Sequence, residues 1–165
     1  MEASDGREIN VKSTLEAQRL GISIIHQEIN LMQDLTVSEN IYIGREPTQG
    51  ILLNGAKQDA QTNALLDSLR LTDIRAGTRV RTLTVAKQQM VEIAKALSFS
   101  NTRILIMDEP TAALTESEIE DLFTFIRRLK AQGVGIVYIS HRMEELRIIA
   151  DRVTVMRDGK YVGTR

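Results

Sequence analysis

The chain has 165 residues, 42% of them hydrophobic, and contains no cysteine. This length is enough for one domain core, and the lack of cysteine excludes disulfides and cysteine-ligated metals. The 21 basic and 22 acidic residues are mixed along the sequence, which argues against binding to nucleic acid. The first residues do not resemble a signal peptide, and no apolar run reaches the roughly 18 residues of a membrane span. We therefore expect any membrane association to depend on partner proteins.

The first part of the sequence predicts a short strand, a helix and a buried strand. Residues 7–11 follow an Asp-Gly turn and have a strand-like composition. Ser13 and Glu16 have capping-box spacing, and Gly21 suits the end of the helix that they begin. The apolar run at residues 22–25 then indicates a buried strand.

Residues 30–99 are predicted to form a helical subdomain. Thr36 and Glu39 have the spacing of a capping box, a longer helix follows Gly55, and a third helix extends from about Ala86 to Leu97. The predicted apolar faces of the second and third helices consist of Ala60, Ala64, Leu65, Leu69 and Leu71, and of Met90, Ile93, Ala94 and Leu97.

Strands and helices alternate in the remaining sequence. The pattern predicts a strand at residues 103–107, a helix capped at 115–118 and stopped by Gly133, a strand at 136–139, a helix at 143–150, and strands at 153–156 and 161–162 around the turn Asp158-Gly159. This alternation predicts an α/β fold with a mostly parallel sheet that helices cover on both faces.

Polar residues follow three of these strands. Asp108 and Glu109 end an apolar strand, where ligands of open α/β sheets bind, although the pair is also typical of a core strand that ends in a turn. One carboxylate can hold Mg²⁺ against nucleotide phosphates, and the other can orient or deprotonate water. His141 and Gln27 follow two further strands, and imidazole and amide groups suit contacts with phosphate or water.

In this order along the chain, the residues resemble the ATP-binding domains of ABC transporters. Gln27 resembles the Q-loop glutamine, Asp108 and Glu109 resemble the Walker B pair, and His141 resembles the switch histidine. The signature and the D-loop of the family are similar to Leu83-Thr84-Val85-Ala86-Lys87-Gln88 and Ala113-Leu114-Thr115. Further segments are similar to the tandem-domain ATPases of bacterial monosaccharide importers, namely His26-Gln27-Glu28, Ser38-Glu39-Asn40-Ile41, Gly44-Arg45-Glu46, Glu92-Ile93-Ala94-Lys95-Ala96-Leu97 and Ser140-His141-Arg142-Met143-Glu144-Glu145.

The resemblance implies a P-loop NTPase-type sheet with an inserted helical subdomain, and ATP and Mg²⁺ as ligands. It assigns Asp108 and Gln27 to the metal, Glu109 to the general base and His141 to the γ-phosphate. The nucleotide-binding residues that it implies across a domain pair are Thr84, Val85, Ala86, Lys87, Ala113, Leu114 and Thr115. The implied partners are a second ATP-binding domain, membrane permease subunits and, indirectly, a periplasmic sugar-binding protein. The implied location is the cytoplasmic face of the inner membrane, and residues just after Gln27 are expected to face the permease.

The sequence departs from the family pattern in its phosphate-binding loop. The motif Gly-x-x-x-x-Gly-Lys-[Ser/Thr] is missing, and Gly159-Lys160 is better explained as a hairpin turn. We therefore expect residues 1–165 to be a single ABC domain without its N-terminal P-loop segment, to belong to a protein that extends upstream, and to be catalytically inactive alone.

The signature and the D-loop also differ from the family pattern. Ala86 carries a methyl group where the family has glycine, and Lys87 replaces glutamine. Thr115 stands in place of the usual D-loop aspartate. These differences predict that the nucleotide site completed by this signature is the poorer of two sites.

Transport by an ABC importer has three alternatives. A non-transport ABC-type ATPase that acts on DNA or ribosomes usually carries coiled-coil or basic insertions, and the sequence shows neither. A dinucleotide-binding oxidoreductase is disfavoured because Gly133-Val134-Gly135 lacks a third glycine and precedes a strand. A non-catalytic interaction fragment remains open for the isolated chain.

Overall fold

A computed structural model describes residues 11–99 and 102–165. The helices in these residues are α1 (Thr14–Arg19), α2 (Val37–Tyr42), α3 (Gly55–Ser68), α4 (Val85–Leu97), α5 (Glu116–Ala131) and α6 (Met143–Ile149), with a 3₁₀ turn at Val80–Thr82. The strands are β1 (Ile22–Ile25), β2 (Thr48–Gln49), β3 (Leu52–Leu53), β4 (Ile104–Asp108), β5 (Gly135–Ile139), β6 (Thr154–Arg157) and β7 (Lys160–Thr164). The strand predicted at residues 7–11 lies outside the described residues except for Val11.

The central feature is a parallel sheet of three strands in the order β1-β4-β5. Ile24 of β1 is paired with Ile106 of β4, which is paired with Val137 of β5. Strand β4 is therefore the central strand of the three, and its Leu105 and Met107 side chains are fully buried. The prediction of an α/β fold with a parallel sheet is confirmed.

Two antiparallel hairpins accompany the sheet. Strands β6 and β7 form the hairpin predicted at Asp158-Gly159, and both turn residues have positive φ, as a tight hairpin turn requires. Strands β2 and β3 form a second hairpin within residues 30–99, where no strand was predicted. Each of these strands has only two residues, which is too short to produce an alternating pattern in the sequence.

The two faces of the parallel sheet differ in burial. Ile25, Leu105 and Met107 point to one face and are buried in the cluster that contains the apolar residues of α4 and α5. On the other face Ile24 and Val137 are each 47% exposed, and Ile139 is 46% exposed. The expectation that helices cover both faces is therefore wrong for the described residues, since α4 and α5 share one face.

The predicted apolar face of α3 is correct for its leucines and wrong for its alanines. Leu69 and Leu71, just beyond the last helical residue, are buried in the core and Leu65 packs against it, whereas Ala60 and Ala64 are exposed. The helix also buries Gln58, Thr62 and Leu66, and it lies against α2. Alanine is small enough to be tolerated on either face, so the alanine spacing in the sequence did not identify the packed side.

Helix α4 is buried along most of its surface, and α5 is amphipathic. The predicted residues Met90, Ile93 and Ala94 are buried in α4, together with polar Glu92. Helix α5 ends at Ala131, and Gly133 two residues later has a φ of +88°, which allows the chain to turn into β5. In the part of the chain described, no helix has the length and apolar character needed to cross a lipid bilayer.

The capping box of α2 is complete, so the stability that it contributes can be measured by substitution. The Thr36 amide donates to the Glu39 carboxylate at 2.7 Å, and the Glu39 amide donates to the Thr36 hydroxyl at 3.2 Å. We expect Thr36→Ala to lower the free energy of unfolding by about 1 kcal/mol, measured by urea denaturation. Thr124→Ala, at an exposed position within α5, is the control and should cause a smaller loss. Equal losses in the two variants would contradict the capping role of Thr36.

Candidate active site

Three groups of polar residues lie at the carboxyl edge of the parallel sheet, which is the edge formed by the C-terminal ends of its strands. Asp108 is the last residue of β4 and is paired with Ile139, the last residue of β5. Gln27 and His141 each lie two residues beyond the end of a neighbouring strand, β1 and β5 respectively. Because parallel strands end at the same edge, the predicted residues lie at the carboxyl edge of one sheet, where open α/β folds bind ligands.

Glu109 and His141 are in direct contact at this edge. The His141 ring Nδ1 lies 2.7 Å from Glu109 Oε1, and the His141 backbone amide donates to the same oxygen at 3.1 Å. The Glu109 side chain is 17% exposed, whereas that of His141 is 81% exposed. The carboxylate is therefore anchored by histidine on one side and remains reachable by solvent.

Glu109 has an unusual backbone conformation, with φ of +48°. A left-handed conformation is uncommon for a residue with a side chain and costs on the order of 1 kcal/mol or more. Its amide donates to the Ile139 carbonyl at 3.0 Å, and its carbonyl accepts from the Ala112 amide at 3.2 Å. These bonds maintain the conformation at the point where the carboxylate leaves the strand.

The polar side chains of Asp108 and Gln27 also lie at this edge. Within the described residues, no hydrogen bond or ion pair engages the Asp108 carboxylate or the exposed Gln27 amide. Nor do the described residues contain a group of three or more potential metal ligands. A single carboxylate of this kind fits Mg²⁺, which commonly binds through one or two carboxylates together with substrate phosphates and water.

The segment after Gln27 is tied to helices α2 and α4 by two buried polar side chains. The Glu92 carboxylate accepts from the Asn30 amide at 3.1 and 3.3 Å. The Asn40 side chain accepts from the Met32 amide at 2.7 Å and donates to the Met32 carbonyl at 3.0 Å. Helix α4 thus contacts the Gln27 segment near its middle and carries the signature-like residues at its start.

The signature-like residues form the N-terminus of α4. Thr84 is the N-cap, and its hydroxyl accepts from the Lys87 amide at 3.4 Å. Val85 and Ala86 begin the helix, and the Lys87 ammonium forms an ion pair with Asp73 at 2.7 Å. The hydrogen bond between the Lys87 ammonium and the Asp73 carboxylate is the main cause that lowers the pKa of Asp73. The charge of Lys87 is therefore partly neutralised within this chain.

The D-loop-like residues connect the site to α5. Ala113 is exposed, Leu114 packs against the core, and Thr115 is the N-cap of α5. The amide and the hydroxyl of Thr115 each donate to the Glu118 carboxylate at 2.9 Å. Thr115 therefore begins a helix, which is a local role beyond the one implied by its sequence position.

A buried carboxylate behind the site was missed from the sequence. Glu145 in α6 is 3% exposed and accepts from the hydroxyls of Thr111, Tyr138 and Ser140. The sequence places Glu144 and Glu145 side by side at the start of a short helix, with nothing to indicate which of them is buried. Residue spacing alone therefore could not identify this network.

A known protein family matches most of the chain. The family described as ABC transporter matches residues 3–112. This chain belongs to the ABC transporter family. The ABC match begins before β1 and includes the signature-like residues of α4, Asp108 and Glu109. The sequence resemblance to ABC ATP-binding domains is confirmed.

Relatives of this ABC chain include sugar-import proteins. It is 59% identical over 162 residues to a ribose/galactose/methyl galactoside import ATP-binding protein of Burkholderia cenocepacia. It is 49% identical over 160 residues to the galactose/methyl galactoside import ATP-binding protein MglA of Yersinia pestis. Each alignment covers 97% of this chain and 31% of the relative, so the chain spans about a third of their length.

Solved ABC cassettes share the fold of the chain. A nucleotide-free ATP-binding cassette of an ABC transporter aligns with a TM-score of 0.78 and 22% identity, covering 99% of this chain and 70% of the cassette. An ATP-binding cassette in its ADP conformation aligns with a TM-score of 0.78 and 25% identity, covering 97% of this chain and 66% of the cassette. The P-loop NTPase-type fold expected from the sequence is confirmed.

The buried position of Glu92 predicts that the stability of the fold depends on pH. Burial raises the pKa of Glu92, and the Asn30 hydrogen bond and the charges of Lys95 and His26 lower it only in part. Folding therefore favours the protonated form. Protonated Glu92 contributes its full amount to the free energy of unfolding below its unfolded-state pKa. This contribution is lost as the pH rises through the folded-state pKa of Glu92.

We expect Glu92→Gln to become more stable relative to the original chain as the pH rises from about 4 to about 7. The glutamine amide oxygen can still accept from Asn30, but it does not ionise. Urea denaturation at a series of pH values measures the difference in unfolding free energy. Glu120→Gln, at an exposed position of α5, is the control. A constant difference for Glu92→Gln across this range would contradict the effect of burial.

Proposed function

We propose that this chain supplies the metal-binding and water-activating part of an ATP site in an ABC importer. The observation that carries the proposal is the contact between Glu109 and His141 at the carboxyl edge, beside the unpaired carboxylate of Asp108. The ABC transporter match supports nucleotide as the ligand of this edge. In the proposed reaction, water attacks the γ-phosphorus of ATP and ADP leaves with the bridging oxygen.

Glu109 is the proposed general base. Its carboxylate is fixed through Oε1 by the His141 ring and amide, while its partial exposure leaves room for a water molecule. The carboxylate would take the proton from water as the new bond to phosphorus forms. With Nδ1 of His141 turned toward Glu109, Nε2 is the ring nitrogen left to contact the γ-phosphate.

Asp108 and Gln27 are the residues proposed to hold Mg²⁺ with the nucleotide. The metal neutralises charge on the phosphate oxygens when it is bound. The Asp108 carboxylate lacks a competing partner in the described part of the chain, and the Gln27 amide is exposed. Both side chains are thus available to ligate the ion directly or through water.

The residues at the start of α4 and in the D-loop-like segment are proposed to contact nucleotide held by a second ATP-binding domain. Thr84 retains a hydroxyl at the helix N-terminus, where an anion is favoured. The Ala86 methyl group opposes a close approach of the backbone, and the Lys87 ammonium is engaged with Asp73. We therefore propose that the site completed by Thr84, Val85, Ala86, Lys87, Ala113, Leu114 and Thr115 is the weaker of two.

The Gly-x-x-x-x-Gly-Lys-[Ser/Thr] motif is not among these 165 residues, which supports the proposal that other residues bind the phosphates. We propose that the chain alone does not hydrolyse ATP. Parallel sheets are normally covered on both faces, whereas Ile24, Val137 and Ile139 leave one face open. This face also supports the second candidate function, a non-catalytic interaction fragment.

The proposed physiological role is uptake of a monosaccharide. Support comes from the sugar-import names of the Burkholderia and Yersinia relatives, which are much longer than this chain. The proposed partners are membrane permease subunits, which would contact residues after Gln27, and indirectly a periplasmic sugar-binding protein. The proposed location is the cytoplasmic face of the inner membrane.

The role of Glu109 can be tested in a chimera in which this chain replaces the matching region of the Burkholderia cenocepacia relative. Glu109→Gln keeps the size and polarity of the side chain but removes the base. We expect ATPase turnover to fall by about 10²- to 10⁴-fold, measured by phosphate release, while calorimetry still detects ATP binding.

The matched control in the same chimera is Glu120→Gln, at an exposed position of α5, which should retain full turnover. If Glu109→Gln retained turnover within about threefold of the unmodified chimera, well short of a general-base effect, Glu109 would not be the base.

A further inference from the structure

Glu145 forms a buried polar network behind the candidate active site. Its Oε1 accepts from the Thr111 hydroxyl at 2.8 Å and lies 2.8 Å from an Arg142 guanidinium nitrogen. Its Oε2 accepts from the Tyr138 hydroxyl at 2.7 Å and from the Ser140 hydroxyl at 3.1 Å. Both carboxylate oxygens are therefore occupied by protein donors, and the side chain is not available to bind a ligand.

Two partners of Glu145 come from the two segments that carry Glu109 and His141. Thr111 is two residues after Glu109 in the turn that follows β4, and Ser140 immediately precedes His141 after β5. Thr111 is 1% exposed, so the link to the first of these segments is protected from water. One carboxylate on α6 thus connects the segment that carries the proposed base with the segment that carries the histidine.

The network is costly to assemble unless it is fully paired. An ionised carboxylate at a buried position is unfavourable without hydrogen bonds and a countercharge, and Glu145 has three hydroxyl donors and Arg142. Burial, followed by the hydrogen bond to Glu145, raises the pKa of Tyr138 above its usual range. A tyrosine hydroxyl is protonated at neutral pH even without this shift, and that of Tyr138 donates to Glu145.

We propose that Glu145 is a positioning residue for the Glu109–His141 pair. By holding Thr111 and Ser140, it fixes the two segments so that His141 Nδ1 remains within hydrogen-bond distance of Glu109 before substrate binds. The importance of this contact for catalysis rests on the proposed function, whereas the positioning rests on the hydrogen bonds that Glu145 makes with Thr111 and Ser140.

The proposal can be tested on the chain itself because it has only two histidines, His26 and His141. Long-range ¹H–¹⁵N spectra of the labelled chain report the imidazole signals of both. Glu109→Ala removes the acceptor and provides the reference spectrum of an unheld His141 ring. In Glu145→Gln and in Tyr138→Phe, we expect the His141 signals to shift toward this reference while those of His26 stay in place.

Two controls separate positioning from general effects of substitution. Glu144→Gln changes the adjacent exposed carboxylate, and Tyr161→Phe removes a hydroxyl from a tyrosine that is 67% exposed. Neither should move the His141 signals. Tyr138→Phe removes a single hydroxyl and keeps the ring that packs edge-on against Phe123, so it decides the matter if Glu145→Gln does not fold.

The proposal would be overturned if the His141 signals of the folded variants matched the original chain, even if denaturation showed lower stability. Glu145 would then stabilise the fold without positioning the pair. This result is independent of the proposed base, because the spectra require no nucleotide. Conversely, a Glu109→Gln chimera that retained turnover would refute the base and leave the imidazole result unchanged.

Discussion

The parallel pairing of β1, β4 and β5 is the constraint on which the site depends. Because β4 is hydrogen-bonded on both sides, its register with each neighbour is fixed, and Asp108 lies opposite the end of β5. A parallel arrangement brings the carboxyl ends of all three strands to one edge. Gln27, Glu109 and His141 are far apart in the sequence, and they share this edge because of that pairing.

Buried polar side chains then hold the loops that follow the strands. Glu92 and Asn40 hold the segment after Gln27 against α4 and α2, and Glu145 joins the segments around Glu109 and His141. Each of these side chains uses its oxygens on the protein itself. They act on loops, which lack the regular hydrogen bonds between strands. A fully paired polar network makes such a loop more rigid.

Much of this organisation could be predicted from the sequence. The strand before Asp108 and the capping box at Thr36 depend on local patterns, and the structure contains both. The alanines assigned to the apolar face of α3 are exposed, and in the described residues the sheet is covered on one face only. Both features depend on which neighbour packs where. The Glu145 network was not found because hydroxyl donors from two segments, the turn after β4 and the end of β5, converge on α6 only after folding. The roles of Gln27, Asp108, Glu109 and His141 remain predictions.

The central claim is that this chain holds the groups for the metal and for water, whereas the phosphates are bound by residues outside it. Isothermal titration calorimetry with Mg-ATP tests this claim on the 165-residue chain, with the Burkholderia chimera as the positive control. Carboxylates without a phosphate-binding loop repel a polyanion, so we predict no micromolar binding by the chain and clear binding by the chimera. A micromolar dissociation constant for Mg-ATP with the chain alone would contradict the claim.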